Sequence, residues 1–496
     1  MSVTNRWEQT DWVISILLFL GISSLYFATS SGITSSNDGS HYALLRTLVE
    51  NQTFALEEFD DYAEGNDIAI SEDGRLFSDR PPGTALLGTL FYRAAIRLPN
   101  PLAPLPSRHD FGNPKLLFVM LLPVLAGAGT VVLLYALMRE LALSRAAALT
   151  ASLMFALGTV HWKYSTVLFS HALSSFLVIL ALYLTIGIAR QTKVHWGNML
   201  FLGFILGYAV LVEYSNALLV ILIGIYLLWY QRPFTYHKLL TIFGPFVAGG
   251  LVSGLFLAFY NDTNFGSPFR LSYAYAVNYP WASSFLTTFN YPPISGLRAL
   301  LVWGSGDGWC NGTCYNQGVF LLSPVLILAI PGWVPYWRKA RQECALTTAV
   351  FLVYLLLFSL HRTSHGFTAD GRYLVPFLGL LAIPLGYAFH WLLTLWYRPV
   401  LQSLLLLISY GLFFLSLRNM FFHIGHSFNY VLNLGQLVPP IAQPDNWRYL
   451  FHQVFRNFSN LPFLWLIELL VLALLLFVWW ILTSIKGWIS DQNEAH

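Results

Sequence analysis

The chain has 496 residues, 56% of them hydrophobic, 16% aromatic and only 10% charged. A soluble globular protein carries about 25% charged residues, so these charges are too few to coat soluble domains, and a soluble enzyme, a disordered chain and a coiled coil are all excluded. The formal net charge of +3, from 27 Lys+Arg and 24 Asp+Glu, is too small to argue for a nucleic-acid partner.

A membrane span needs about 20 mostly apolar residues. The first such run is Trp12 to Ser30. It follows a short polar start with Arg6 and shows no obvious cleavage pattern, so it reads as an uncleaved first helix. Later apolar runs fall near 115–138, 146–160, 166–189, 196–212, 216–231, 238–259, 319–336, 345–360, 372–392, 400–417 and 463–485. The expectation is an all-α polytopic membrane protein of about 12 transmembrane helices (range about 11–13), one unit over 1–496.

Positive charges set the direction. With the N-terminus in the cytoplasm, the inside connections hold Arg139 and Arg145, Arg190 and Lys193, Arg232 and Lys238, Arg338, Lys339 and Arg341, Arg398, and Lys486. The pattern places both termini in the cytoplasm and requires that the apolar stretch after Pro82 does not cross. Arg93 and Arg97, at i and i+4, suit a helix lying in the interface, so 83–97 reads as an interfacial or re-entrant helix. Three extracytoplasmic segments follow: 31–114, 260–318 and 418–462. The first is acidic, but Phe54, Leu56, Phe59, Tyr62, Ile68, Ile70, Leu76 and Phe77 interleave with its acids, which argues against disorder. Ser71 to Arg75 reads as a hairpin turn. Cys310 and Cys314 share an outside loop and are either a disulfide or two free thiols.

Four places carry candidate chemistry. Asp38 lies just past the first span, near the start of a helix over Tyr42 to Val49; it is either an N-cap or a functional acid at the water–membrane boundary. Asp79-Arg80-Pro81-Pro82-Gly83 ends a strand and starts the interfacial helix. Arg80 there either anchors the interface or faces an anion such as a lipid phosphate. At outer span ends stand Lys163 in a turn with His161, Trp162 and Tyr164, then His171 within a span, and Glu213 with Tyr214. His171 is a functional candidate or a satisfied core histidine. Last, His361, His365 and Asp370 are a weak metal candidate, while Arg372 suits a phosphate contact.

Taken in order, these segments resemble the polytopic GT-C glycosyltransferases, the class of the protein O-mannosyltransferases and bacterial aminoarabinose transferases (the family 39 group). The resemblance rests on Asp38 to Val49, on GRLFSDRPPGTALL (Gly74 to Leu87) and on GTVHWKYSTVLFSHAL (Gly158 to Leu173). It continues in YNDTNFGSPF (Tyr260 to Phe269), GVFLLSPVLILAIPG (Gly318 to Gly332) and GRYLVP (Gly371 to Pro376). It implies transfer of a sugar from a polyprenyl-phosphate donor to an acceptor at the extracytoplasmic face of the plasma (inner) membrane. Asp38 then matches the first-loop aspartate that acts as general base or helps bind a metal. Gly39 stands where the class often has a second acid, and Arg80 where some relatives have His before the prolines.

On this reading Asp38 is the catalytic base, and Arg80, Lys163, His171, Arg270 and Arg372 bind the lipid phosphate or the sugar. A possible divalent metal would draw on Asp38, Glu57, Glu58 and His365. The alternatives are a lipid or solute transporter or flippase, or a non-catalytic envelope-assembly protein. The lipid bilayer and a polyprenyl-phosphate-linked sugar are the expected partners, with the acceptor open.

Overall fold

The computed structural model describes residues 8–30, 32–97, 114–191, 194–230, 232, 235–305, 315–363, 366, 368 and 370–425. The expected span at 463–485 and the Cys310–Cys314 pair lie outside them. The chain is a multi-pass helical membrane protein. Its principal helices are α1 (Gln9–Ala28), α2 (Ser36–Arg46), α3 (Gly83–Arg97), α4 (Leu121–Glu140), α5 (Arg145–Gly158), α6 (Ser170–Ala189) and α7 (Trp196–Val212). They continue with α8 (Ala217–Tyr230), α9 (Tyr236–Phe265), α10 (Pro293–Leu301), α11 (Ala329–Lys339), α12 (Arg341–Ser359), α13 (Gly379–Leu393) and α14 (Pro399–Gly425). Among the described residues seven helices are long and apolar enough to cross a membrane, and α5, α7 and the helical run Tyr214–Tyr230 are shorter apolar helices.

The run expected to span at 319–336 is instead broken. A turn of helix at Val319–Leu322 and a 3-10 turn at Pro324–Leu328 precede α11. Pro324 lacks the N–H that would carry the helix through. The stretch 83–97 is a 15-residue helix. At 1.5 Å per residue its described part is about 22 Å long.

Most of the apolar side chains form one core in which α4, α6, α5 and α13 are the most buried. Two ion-pair clusters tie the helix ends together on one side. Asp11, in the first turn of α1, is fully buried. Its Oδ1 accepts from Tyr135 Oη at 2.8 Å and Arg139 Nε at 2.9 Å, and its Oδ2 from Arg145 Nη2 at 3.1 Å. Arg190, at the end of α6, reaches Glu140 at 3.2 Å and Glu343 at 2.6 Å. The starts of α1, α5 and α12 and the ends of α4 and α6 therefore share one end of the molecule. At the opposite end Ser30 Oγ donates to Thr166 O at 3.1 Å, Trp162 Nε1 to Thr29 Oγ1 at 2.9 Å, and Tyr164 Oη to Asp370 Oδ1 at 2.8 Å. The 139–145 connection and Arg190 thus lie at one end and the turn over 161–166 at the other.

Helices α7 and α9 pack through glycine. A Cβ on Gly203 would come within 1.9 Å of Phe246 O, and one on Gly249 within 2.0 Å of Leu200 O. Small residues let backbones approach this closely where no hydrophobic effect drives helices together in lipid. At the site end a two-stranded hairpin, β1 (Ile68–Ile70) with β2 (Leu76–Ser78), pairs antiparallel around the expected Ser71–Arg75 turn. Gly74 takes φ +82° there, a conformation that suits glycine. A second hairpin joins β3 (Trp303–Ser305) to β4 (Tyr315–Gln317).

Candidate active site

Helix α2 starts the site. Ser35 is its N-cap and Asp38 the third helical residue, and together they close a capping box. Thr34 donates from N and Oγ1 to Asp38 Oδ2 at 2.7 and 3.3 Å, and Ser35 from N and Oγ to Oδ1 at 2.7 and 2.8 Å. Both carboxylate oxygens are thus committed to the helix start. Burial nevertheless pushes this carboxyl up to about 6, against the opposing pull of its hydrogen bonds. Gly39 follows because nothing larger fits: a Cβ there would lie 1.8 Å from Tyr62 O. A second acid beside Asp38 is sterically excluded.

The Asp-Arg-Pro-Pro motif comes off β2 and packs against the same helix. Arg80 bonds Asp67, and with the Asn37 amide oxygen turned toward it, its Nε and Nη2 donate to Asn37 at 3.1 and 3.2 Å. Ser36 also bonds Asp67, so Asp67 links the helix start to Arg80. The two prolines then deliver the chain into α3. Gly83 lies where a Cβ would be 2.6 Å from the Leu211 backbone, and Tyr208 Oη donates to Gly83 O at 2.7 Å.

Asp79 is fully buried, yet neither of its oxygens has a hydrogen-bond partner among the described residues. Arg80 Nε is ion-paired with Oδ1 at 3.2 Å without making a hydrogen bond to it. The carboxyl is pushed up to about 8 by burial, with the Arg372 charge opposing. Its main-chain oxygen accepts from Ser272 Oγ at 2.7 Å, which brings in the 260–318 segment. His41, one helical turn along from Asn37, is also buried with both ring nitrogens unpartnered among the described residues. Desolvation, reinforced by Arg80, lowers it to about 3, and it is neutral.

Arg372 arrives from the other half of the chain. Its guanidinium lies 5.6 Å from the Phe169 ring centre and 5.4 Å from that of Tyr373, and its Nε makes no hydrogen bond among the described residues. His171 packs at 4.9 Å from Tyr164 and 5.7 Å from Phe169, within the same group of rings. The charges of Arg80 and Arg372 both act on Glu213, held up by burial, and on Tyr279. Arg80 and Arg372, some 290 positions apart in sequence, thus converge on one buried polar cluster around Asp79.

Other expected residues lie elsewhere or are engaged differently. Lys163 is buried in the short helix His161–Tyr164. Arg270 is exposed and pairs with Glu72 at the hairpin turn and with Tyr275 Oη at 2.8 Å, apart from the Arg80–Arg372 cluster. Glu57 pairs with Arg75 at 3.4 Å, and Glu58 accepts from Asn51 Nδ2 at 2.9 Å. His365 lies outside the described residues. Among the described residues no three His, Cys, Asp or Glu side chains gather as a metal would require, and Asp38 has its oxygens committed. The described residues do not fit the divalent metal that the resemblance allowed.

Asp370 is the centre of a buried network. It accepts from Tyr164 Oη at 2.8 Å, Thr368 Oγ1 at 2.7 Å and His423 Nε2 at 2.6 Å, and these bonds hold its carboxyl low against the cost of burial. This network pins the end of α14 beside Arg372. Sequence reading missed His41, Asp67 and His423 as parts of the site; the orphaned Asp79 was visible only as one letter of the proline motif.

The family described as dolichyl-phosphate-mannose-protein mannosyltransferase matches residues 111–256. No curated protein matches the sequence. Among solved structures, the apo oligosaccharyltransferase of Archaeoglobus fulgidus superposes with a TM-score of 0.50 at 13% identity, over 91% of this chain and 60% of that one. The same organism's AglB, in complex with an inhibitory peptide and a dolichol-phosphate, superposes with a TM-score of 0.52 at 12% identity, over 89% and 59%. The chain has the GT-C fold. Within that fold it spans about 60% of the length of the oligosaccharyltransferases it matches. ArnT from Cupriavidus metallidurans bound to undecaprenyl phosphate is also similar, with a TM-score of 0.47 at 12% identity over 94% and 77%.

Proposed function

We propose that this GT-C protein is a membrane glycosyltransferase that moves a sugar from a polyprenyl-phosphate donor to an acceptor at the extracytoplasmic face, with both termini cytoplasmic. The observation that carries the reading is that Arg80 and Arg372 share one buried polar cluster with Asp79, whose oxygens accept no hydrogen bond among the described residues. A lipid-phosphate leaving group needs cations where negative charge develops, and guanidinium groups supply them in fixed geometry. Arg80 is oriented for this by Asp67 and Asn37, and Arg372 is held over Phe169 beside His171.

The acceptor hydroxyl attacks the anomeric carbon as the bond to the phosphate oxygen breaks. The phosphate leaves as an anion between the arginines, and the hydroxyl proton passes to a carboxylate. Asp79 takes that proton: neither of its oxygens accepts a hydrogen bond among the described residues. Asp38 acts as a positioning residue, fixing the start of α2 and so the placement of Asn37 and His41 against Arg80.

Donor binding tests this reading. Undecaprenyl phosphate is titrated into the purified protein in detergent and read by native mass spectrometry. The wild type retains one lipid phosphate, while Arg80→Ala and Arg372→Ala lose it and remain monodisperse. Equal retention by all three proteins contradicts the phosphate role.

A further inference from the structure

The segment 284–297 turns apolar side chains outward. Phe285 and Leu286, in the short helix Phe285–Thr288, are 68% and 77% exposed, and Ile294 in α10 is 81% exposed. The segment is docked on the end of a membrane-crossing helix. Tyr291 N donates to Leu360 O at 2.9 Å and Arg362 N to Thr288 O at 2.8 Å. At Gly296 a Cβ would come within 1.9 Å of Ser359 O. That helix, α12, has its own outward apolar face in Leu352 and Leu356, and Leu356 is one turn from the docking point. Apolar exposure therefore carries on past the end of the span and onto the segment packed against it.

The charge pattern points the same way. The exposed loop over Glu57 to Glu64 is rich in acids, as a water-facing loop should be. From Leu271 through Leu297 there is no Asp, Glu, Lys or Arg. The first cation after that stretch is Arg298, and Arg362 is exposed where the segment docks. Tyr279, Trp281, Phe289 and Tyr291 lie within it, and Trp281 and Phe289 enclose His361 at 5.5 and 5.4 Å. Aromatic rings with flanking arginines and outward aliphatic side chains are the composition of an interfacial segment. Isolated apolar residues on a surface need no explanation, but a charge-free run continuous with a lipid-facing helix does.

We propose that 284–297 is seated in the bilayer surface at the site end of the molecule, with Phe285, Leu286 and Ile294 in the boundary between headgroups and acyl chains. The partner is a lipid surface. The seat goes beyond the transferase reading and stands whether or not that reading holds.

The test uses the full chain with Cys310→Ser, Cys314→Ser and Cys344→Ala, reconstituted in vesicles of phosphatidylethanolamine and phosphatidylglycerol. Leu286→Cys and Ile294→Cys are spin-labelled separately, with the exposed Asp61→Cys as the water-facing control. Collision with oxygen is compared with collision with a water-soluble nickel chelate. At both apolar positions oxygen access exceeds nickel access, and at the control the order reverses. Nickel access exceeding oxygen access at 286 and 294 overturns the proposal and puts the segment in water. Low access to both reagents also overturns it, because a protein surface (a second copy, or residues 426–496) then covers the patch.

Discussion

Asp79 differs from Asp11, Asp38 and Asp370 in that neither of its oxygens accepts a hydrogen bond among the described residues, with Arg80 Nε ion-paired to Oδ1 at 3.2 Å. Asp11, Asp38 and Asp370 each accept three or more bonds, so Asp79 has more acceptor capacity left for a substrate proton than these three. As the base, Asp79 must be ionised, so transfer increases with pH through a midpoint of about 8. Asp79→Asn lowers the rate by about 10² to 10⁴-fold, and a pH–rate profile of the wild type checks the midpoint. Stability moves in the opposite sense. The folded state holds this proton up to about 8, whereas the ordinary value is 3.8, so between these limits the folded state binds the proton that the unfolded state has released. Stability therefore falls as pH rises across that window, and Asp79→Asn flattens the fall. Thermal unfolding in detergent from acid to mildly alkaline pH measures it; an equal slope in the variant contradicts the assignment. Asp38→Asn keeps one acceptor oxygen for the cap and so reduces transfer far less than Asp79→Asn. The reverse ranking returns the base to Asp38.

At the scale of elements, two contacts hold the helices that carry the site. Removing Asp11 leaves Arg139 and Arg145 facing each other around a vacated buried position. Asp11→Ala is expected to destabilise the protein by about 3–5 kcal/mol, the usual cost of breaking a buried pair. Gly203→Val forces α7 away from α9 and costs about 1–3 kcal/mol by overpacking. Because α7 also abuts Gly83 at the start of α3, this variant moves the Asp79–Arg80 motif and lowers donor affinity as well. Chemical denaturation in mixed micelles reads the first effect and lipid-phosphate titration the second. Elements were legible in the sequence where one residue type decides them. The apolar runs fixed the long helices, Gly74 marked the hairpin turn, and Pro82 with Gly83 marked the start of α3. The break at Pro324 was not read, because the surrounding Val319 to Ile330 run is apolar enough to mask it.

Across the whole molecule, the ion pairs of Asp11 and Arg190 join the starts of α1, α5 and α12 to the ends of α4 and α6. The site was legible only in part. Arg80 and Arg372 stand in short motifs with Gly and Pro, which signal special backbone, and both reach the buried cluster. His41, Asp67 and His423 look ordinary in sequence, and their role depends on tertiary proximity: His423 meets Asp370 across 53 positions. Asp38 drew attention by its place after the first span, and a capping box explains that place as well as catalysis does. The arrangement as a whole makes sense for a reaction whose leaving group is a lipid-anchored anion and whose acceptor enters from water.

The most direct test is turnover. The purified protein in lipid is incubated with a panel of polyprenyl-phosphate sugars, and free polyprenyl phosphate and transferred sugar are measured by mass spectrometry beside the Asp79→Asn variant. The wild type releases polyprenyl phosphate from at least one donor, and the variant releases none above background. Equal turnover by both proteins, or a wild type that neither binds nor cleaves any donor, contradicts this reading.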